Sequence, residues 1–360
     1  MSDDVVRVGS RVTAVVVNFH CVSDVVGAVQ SIRRDGQDVP VVVVDNSADP
    51  QEAQALRLAL QGVADVLEPG RNLGFGEGCN WAARHRPAEF YWLVNPDVRV
   101  LAGCLPALVD AMDGNLSLGA VSPRQWLDDG LAWQMSPVWS PSPLGNWVRA
   151  KALNSTRVHD RLAAAVMAES ARLWASVGGG VRYQRMLNGA ALLVRARALE
   201  DSGQLFDPQF FMYYEDTDLC KVLRKRGWQL GVVAVARAIH HWRMGPHKNS
   251  WMERSAPLYA QKHFAGSLFW DRPVQGGAAV LPGQVWNEGE ALRLPDSWSA
   301  GWMLELSPLP VFLPSIGQFG SGTLVGWPDI VGLLAPGVTW YARLSRADGA
   351  GRECLEYVLR

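Results

Sequence analysis

The 360-residue chain carries 34 Lys and Arg against 35 Asp and Glu, for a net charge of -1, and is 48% hydrophobic and 19% charged. That composition supplies a sizeable core and excludes a disordered protein, and the lack of a basic excess excludes nucleic acid as the expected partner. At this length about two domains are expected. The longest apolar runs, such as Val39–Val44, are strand-length, far short of the roughly 20 residues that span a bilayer. The start, Met1-Ser-Asp-Asp, is acidic where a secretion signal is basic, so no signal peptide is expected. Cys21, Cys79, Cys104, Cys220 and Cys354 are scattered without a CxxC pair, which predicts reduced thiols and a cytoplasmic protein.

From Val12 to about Ala265, short β-branched runs alternate with helix-like segments. Strands are predicted at Val12–Asn18, Pro40–Val44, Val63–Leu67 and Phe90–Val94, and helices at Asp24–Arg34 and Gly78–Arg84. Continuous rather than alternating hydrophobicity indicates strands covered on both faces, hence a mostly parallel sheet with helical crossovers. Ligands in such sheets bind beyond the carboxyl ends of the strands. Asn18, Asp45-Asn46 and Asn95-Pro96-Asp97 all fall there. Between Pro137 and Met186 the rhythm breaks into a helical stretch, Leu144–Ala175, rich in Trp and Arg. It reads either as an amphipathic insertion with a solvated basic face, or as a patch for anionic lipid headgroups or a phosphorylated acceptor. After about Pro273 the tail has no lysine and frequent Gly and Pro. Its strands alternate, with Trp302, Leu304 and Leu306 on one face and Glu305 and Ser307 on the other. A small antiparallel β-domain is expected.

Each local motif has a plain reading. Asp45-Asn46-Ser47 could cap the next helix. Asn72-Leu-Gly-Phe-Gly-Glu-Gly78 could be a tight turn, or a phosphate-binding one whose backbone N–H groups approach a diphosphate. The carboxylate of Asn95-Pro96-Asp97 could sit in a turn or hold Mg2+ or Mn2+ on phosphate oxygens. Glu215, Asp216 and Asp218 follow five large side chains at Phe210–Tyr214 and open a helix. Such acids suit a helix N-terminus, and an aromatic wall beside them also raises a carboxylate toward the range of a general base. His240-His241 follows the strand-like Leu230–Ile239; a lone His there is usually structural, and beside a metal-holding Asp it becomes a candidate ligand.

In order and spacing these motifs resemble family 2 glycosyltransferases, in the bacterial rhamnosyltransferase-like branch. The resemblance runs from Val12 to about Gly245, through Val15-Val-Val-Asn-Phe19, Val43-Val-Asp-Asn-Ser47, Asn72-Leu-Gly-Phe-Gly76 and Leu93-Val-Asn-Pro-Asp97. It continues through Asn188-Gly-Ala190, Phe211-Met-Tyr-Tyr-Glu-Asp-Thr-Asp-Leu-Cys220 and Ile239-His-His241. It implies a GT-A fold, a Rossmann-like α/β sandwich that transfers sugar from a nucleoside diphosphate donor with inversion. Asn18, Asp45 and Asn46, the turn residues Asn72, Gly74 and Phe75, and Asn95 would then line the nucleotide site. Asp97 would hold Mg2+ or Mn2+, with His240 as second ligand and His241 the fallback. Asp216 would be the base, supported by Glu215 and Asp218. The usual DxD appears here as Asn95-Pro96-Asp97, and Trp242-Arg-Met244 replaces a glycine-rich turn.

The expected organisation is a GT-A domain over 1–272 with a helical insertion at about 137–186, followed by a β-rich domain over 273–360. The expected activity is sugar transfer, from dTDP-rhamnose on the family's suggestion, to a hydroxyl of a glycan or lipid-linked acceptor in cell-surface polysaccharide synthesis. The protein would be cytoplasmic, with peripheral contact at the inner membrane face. Trp286, Trp298, Trp302, Trp327 and Trp340 in the tail read as sugar-stacking surfaces or as core, and the tail is also open to a homo-oligomer contact. Two other readings stand beside the transferase. A metal-dependent hydrolase would use Asp97, the histidines and the Glu215–Asp218 cluster, but leaves Asp45 and the Gly74–Gly78 turn without work. A non-catalytic glycan- or nucleotide-binding module would have no need of both Asp97 and Asp216.

Overall fold

The computed structural model describes residues 11–135, 138–175, 179–199, 203–241, 248–267, 280–333, 337–348 and 353–360. Met1–Asp4, Pro137, Trp242–Met244, Pro273 and the end of the Ala347–Gly351 turn lie outside the described residues. Chain contacts divide the protein into two compact units, Met1–Trp126 with Gly178–His263 and Leu127–Val177 with Phe264–Arg360. The helical stretch thus groups with the C-terminal strands, although chain order inserts it into the first unit.

The first unit is built on a nine-stranded sheet. Its parallel half contains β1 (Val12–Asn18), β2 (Val41–Asp45), β3 (Asp65–Leu67) and β4 (Phe90–Val94). The mixed half contains β5 (Val98–Val100), β6 (Leu118–Trp126), β7 (Val181–Tyr183), β8 (Ala191–Arg195) and β9 (Gln229–His240). The order is β3-β2-β1-β4-β8-β6-β9-β5, with β7 on β9. Every residue of β1, β2, β4 and β8 is buried, as expected of uninterrupted apolar strands. The helices are α1 (Val22–Asp35), α2 (Pro50–Ala59), α3 (Phe75–His85) and α4 (Cys104–Gly114). α1 buries Val25, Ala28, Val29 and Ile32, the i, i+3, i+4, i+7 stripe of an amphipathic helix, and packs against β1 and β5.

Of the boundaries that differ from the sequence expectation, two have a visible local cause. β3 begins at Asp65 rather than Val63, because the Val63 and Ala64 amides donate to the Leu60 carbonyl and complete the exit from α2. α3 begins at Phe75 rather than Gly78, directly after Gly74 at φ 80.

The second unit holds the helices α5 (Pro143–Ala152) and α6 (Thr156–Trp174), separated where Ser155 turns extended. Its strands are β10 (Gln284–Trp286), β11 (Leu292–Arg293), β12 (Trp302–Ser307), β13 (Ile316–Gly320), β14 (Leu324–Val325), β15 (Tyr341–Arg346) and β16 (Cys354–Leu359). Five form a sheet of order β10-β16-β15-β12-β13, antiparallel except for β10 on β16, and β11 pairs with β14. Trp286, Trp298, Trp302 and Trp340 are buried in one core with Trp327 packed against it, so these rings fill the core instead of offering sugar-stacking surfaces. Trp302, Leu304 and Leu306 line that core as the alternation predicts. The opposite face is buried too. There Glu305 pairs with Arg343 at 2.6 Å, and residues of α5 and α6 cluster with Val311–Leu313 and Tyr341. Among the described residues no helix is long and apolar enough to cross a membrane.

Candidate active site

Parallel pairing puts Asn18 opposite Asp45, so the ends of β1 and β2 present their polar residues side by side. Asn18 Nδ2 donates to Asp45 Oδ1 at 2.8 Å and to Glu52 Oε2 at 3.2 Å, and Asp45 Oδ1 also accepts the Ser47 amide. Glu52, on α2, further takes the His20 amide at 3.1 Å and faces His20 Nδ1 at 3.2 Å. Asp45 does not cap α2; Asp49 does, accepting the Gln51 amide at 2.8 Å. Phe19, packed edge-on against the His20 ring, stands half exposed beside this buried polar group.

The Asn72–Gly78 turn is locked from three directions. Asn46 Nδ2 donates to the Gly74 carbonyl, the Gly74 amide donates to Asn72 Oδ1, and the Phe75 amide donates to the Phe211 carbonyl. Gly74 is held at φ 80, and a Cβ there would collide with that same Phe211 carbonyl. Only glycine satisfies both demands. The Gly78 amide is spent on the Gly74 carbonyl. These three amides fasten the chain.

After β4 the chain turns through Asn95-Pro96-Asp97 into β5, and β5 pairs with β9 so that Val98 faces His240. This register brings His240 Nε2 to 3.4 Å from Asp97 Oδ2. His241 is exposed and donates its backbone amide to the Asp97 carbonyl. His240, rather than His241, therefore brings its imidazole to Asp97. Among the described residues no three His, Cys, Asp or Glu side chains gather as a metal cluster. The Asp97 carboxylate is the donor of this pair that suits a hard cation such as Mn2+ or Mg2+, which takes oxygen ligands. Asn95 Oδ1 is buried with no hydrogen-bond partner among the described residues, a further acceptor at the same turn. Burial, with Asp24, Glu52 and Asp97 nearby, pushes the Cys21 thiol up.

The acidic cluster opens α7 (Glu215–Lys225) and resolves into three environments. Tyr213 and Tyr214 precede it at φ 63 and φ 69, a left-handed turn that costs two non-glycine residues strain. Glu215 points inward beneath Gly76 and Cys79, and its Oε2 has no hydrogen-bond partner among the described residues. Burial and the Asp216 charge push it up to about 8, so at neutral pH it keeps its proton. Asp216 is half-buried; its Oδ2 accepts the Gly189 amide at 3.1 Å and its Oδ1 accepts the Thr217 amide at 2.6 Å. Burial raises Asp216 against the opposing pull of these donors. Asp218 is buried and accepts from Lys262 Nζ at 2.8 Å and His263 at 2.6 Å. The Asn188–Ala190 segment joins the two halves of the site. Gly189 holds Asp216, and the Ala190 carbonyl accepts the Asn95 amide at 2.8 Å.

Residues 13–156 match the family model for glycosyl transferase family 2. Over this stretch the chain is similar to family 2 glycosyltransferases. Two relatives, the N-acetylglucosaminyl-diphospho-decaprenol L-rhamnosyltransferases of Mycobacterium tuberculosis strains CDC 1551 / Oshkosh and ATCC 25618 / H37Rv, are each 28% identical over 232 residues. The match covers 56% of this chain and 66% of each relative, just under two thirds of their length. Among solved structures, a mannosyltransferase from Pyrobaculum calidifontis in complex with GDP-Man and Mn2+ aligns at 17% identity and a TM-score of 0.48, covering 74% of this chain and 66% of that one.

The structure gathers Asn18, Asp45 and Asn46 with Asn72 and Gly74, and separately Asp97 with His240. It separates Glu215 and Asp218 from Asp216 by direction: one faces the α3 side and the other faces Lys262 and His263. Sequence reasoning missed Glu52, His20 and Gly189 as site residues. Glu52 had a local signal, three residues after the Asp49 cap, but its partner at Asn18 lies across the sheet.

Proposed function

We propose that this protein is an inverting glycosyltransferase that moves a sugar from a nucleoside diphosphate sugar to an acceptor hydroxyl. The rhamnosyltransferase relatives suggest dTDP-rhamnose as donor and an N-acetylglucosaminyl-diphospho-polyprenol lipid as acceptor, within cell-surface polysaccharide synthesis. One observation carries the reading: residues 188–190 tie Asp216 and the Asn95–Asp97 turn together, so a base and a metal-ligating pair flank one place.

In this reading the Asn18–Asp45–Glu52 group receives the nucleoside, which a metal-dependent hydrolase would leave without a role. Asp97 and His240 would hold Mn2+ or Mg2+, whose charge, when bound, stabilises the departing diphosphate. Asp216 accepts the proton of the acceptor hydroxyl as that oxygen bonds to the anomeric carbon. The bond from that carbon to the donor phosphate breaks, and its electron pair leaves on the nucleoside diphosphate. Attack opposite the leaving group inverts the centre, with no covalent enzyme intermediate. Glu215, kept neutral by burial, adds no second charge behind Asp216. The exposed Lys151, Arg157 and Arg161 of the α5–α6 pair supply a cationic surface for an anionic membrane carrying the acceptor.

The test is a panel of dTDP-, UDP- and GDP-sugars with Mn2+. Thermal stabilisation by one nucleotide series, and release of that diphosphate when the lipid-linked acceptor is added, is the expected result. No stabilisation by any nucleotide would overturn the reading.

A further inference from the structure

The last helix of the first unit has no part in the chemistry above, yet it runs along the strained turn that aims the base. α8 (Lys248–Phe264) presents Trp251, Ser255, Tyr259 and His263 at four-residue spacing, one face of a helix. The Trp251 ring stacks on Phe211 at 4.6 Å, and Ser255 Oγ donates to the Met212 carbonyl at 2.8 Å. The Tyr259 ring lies 5.4 Å from that of Tyr214. Every residue from Phe211 to Tyr214 other than Tyr213 is thus held by this face.

At its end the helix reaches the first turn of α7. Lys262 Nζ bridges Asp207 at 2.6 Å and Asp218 Oδ2 at 2.8 Å, and His263 Nε2 meets Asp218 Oδ1 at 2.6 Å. The other imidazole nitrogen, Nδ1, faces Lys225 Nζ at 3.1 Å. An ammonium can only donate, so Nδ1 accepts, and the proton sits on Nε2 where it donates to Asp218. Burial lowers His263, which keeps the ring in this neutral form. The side chains of Asp218 and His263 are 4% and 2% exposed, so the pair is shielded from water and screens little.

Left-handed conformations at two consecutive tyrosines persist only where surrounding contacts over-determine them. We propose that Asp218, clamped by Lys262 and His263, is a positioning residue: it splints the Tyr213–Tyr214 turn against α8 and so holds Asp216 on the Gly189 amide. Asp218 touches no reacting atom in this role. The inference rests on Asp216 being the base. The Phe75 amide holds the Phe211 carbonyl independently of the clamp, so the nucleotide pocket keeps its shape when the clamp is cut.

The experiment measures steady-state transfer with the sugar-nucleotide panel and the lipid-linked acceptor, nucleotide affinity by calorimetry with Mn2+, and amide exchange over residues 211–217. Asp218→Asn and His263→Ala should lower kcat about 10- to 100-fold, the scale of a small misplacement of a reacting group, with nucleotide affinity unchanged and exchange increased. His263→Gln, whose amide N–H replaces the Nε2 donor, should recover kcat to within about threefold. If Asp218→Asn fails to fold, Lys262→Met, at a partly exposed position, carries the same expectation. Unchanged kcat in the folded clamp variants, while Asp216→Asn is inactive, overturns the clamp alone. Full activity in Asp216→Asn overturns the assignment of the base, and the clamp with it.

Discussion

Gly189 donates its amide to Asp216 Oδ2 at 3.1 Å, and a methyl group on Gly189 would stand 2.8 Å from Asp216 Cβ and 2.9 Å from Oδ2. The glycine is therefore the contact that both holds and limits the carboxylate. Gly189→Ala must displace Asp216 at its Cβ, close to the backbone of α7, where little can give. We expect kcat to fall about 10- to 100-fold while nucleotide affinity with Mn2+ holds, as single-turnover kinetics beside calorimetry will read. Equal loss of affinity would mean the substitution disturbs the nucleotide pocket instead.

Asp97 Oδ2 lies 3.4 Å from His240 Nε2. Asp97→Ala should abolish turnover by removing metal-dependent nucleotide binding, because the diphosphate charge then loses its counter-ion. Calorimetry of dTDP with and without Mn2+ checks this, the expected result being the loss of the Mn2+ increment. An undiminished increment would place the metal elsewhere.

Glu215 gives stability a pH slope. Its ordinary value is 4.5, and burial beside Asp216 raises it to about 8 in the folded protein. Within that window the native state binds more protons than the unfolded chain, so stability is present below the lower value and is lost as pH rises. Asp216 is raised too and shares the effect, so Glu215→Gln should flatten the slope without abolishing it. Melting temperatures from about pH 5 to about pH 8 should show the variant gaining on the native protein as pH rises. Parallel curves would show that Glu215 is not the buried proton holder.

The strand ends were legible in the sequence because each uninterrupted apolar run stops at a polar residue, and a buried strand fixes where that residue emerges. Asn18, Asp45 and Asn95 follow from this alone. Glu52 and Lys262 were not legible, since their partners Asn18 and Asp218 lie 34 and 44 residues away and no local pattern encodes the pairing. The acidic cluster was visible as a cluster only. Which carboxylate faces Gly189, which faces the core and which faces His263 depends on the left-handed Tyr213–Tyr214 turn, and tyrosine carries no sequence signal for that conformation. Glu305 misleads in the opposite sense, because alternation marks its face as polar while α5, α6 and Val311–Leu313 bury it against Arg343.

The α5–α6 pair carries exposed Lys151, Arg157 and Arg161, a half-buried Arg149 and an exposed Leu144. If this surface rests on anionic headgroups, neutralising Arg149, Lys151, Arg157 and Arg161 together should reduce co-sedimentation with phosphatidylglycerol vesicles, at about 1 kcal/mol per basic residue near the surface. Neutral vesicles supply the control. Equal sedimentation before and after would leave the pair a structural cover for the C-terminal sheet.

Asp216 should be the residue that deprotonates the acceptor, and the three acids of the cluster differ enough for the test to be sharp. Glu215 is protonated at neutral pH and enclosed beneath α3, so it cannot take a proton from a bound hydroxyl. Asp218 has both oxygens occupied by Lys262 and His263. Asp216 alone is half-buried, and burial raises its affinity for a proton while the Gly189 and Thr217 donors keep its carboxylate form accessible. Removing a general base costs about 10²–10⁴ in rate and leaves ground-state binding nearly intact. Asp216→Asn should therefore bind nucleotide and Mn2+ normally and transfer almost no sugar, whereas Glu215→Gln loses far less. Transfer measured for both variants under identical conditions decides it: near-normal transfer by Asp216→Asn, with loss in Glu215→Gln, would give the base to Glu215 and require that side chain to leave its buried position during turnover.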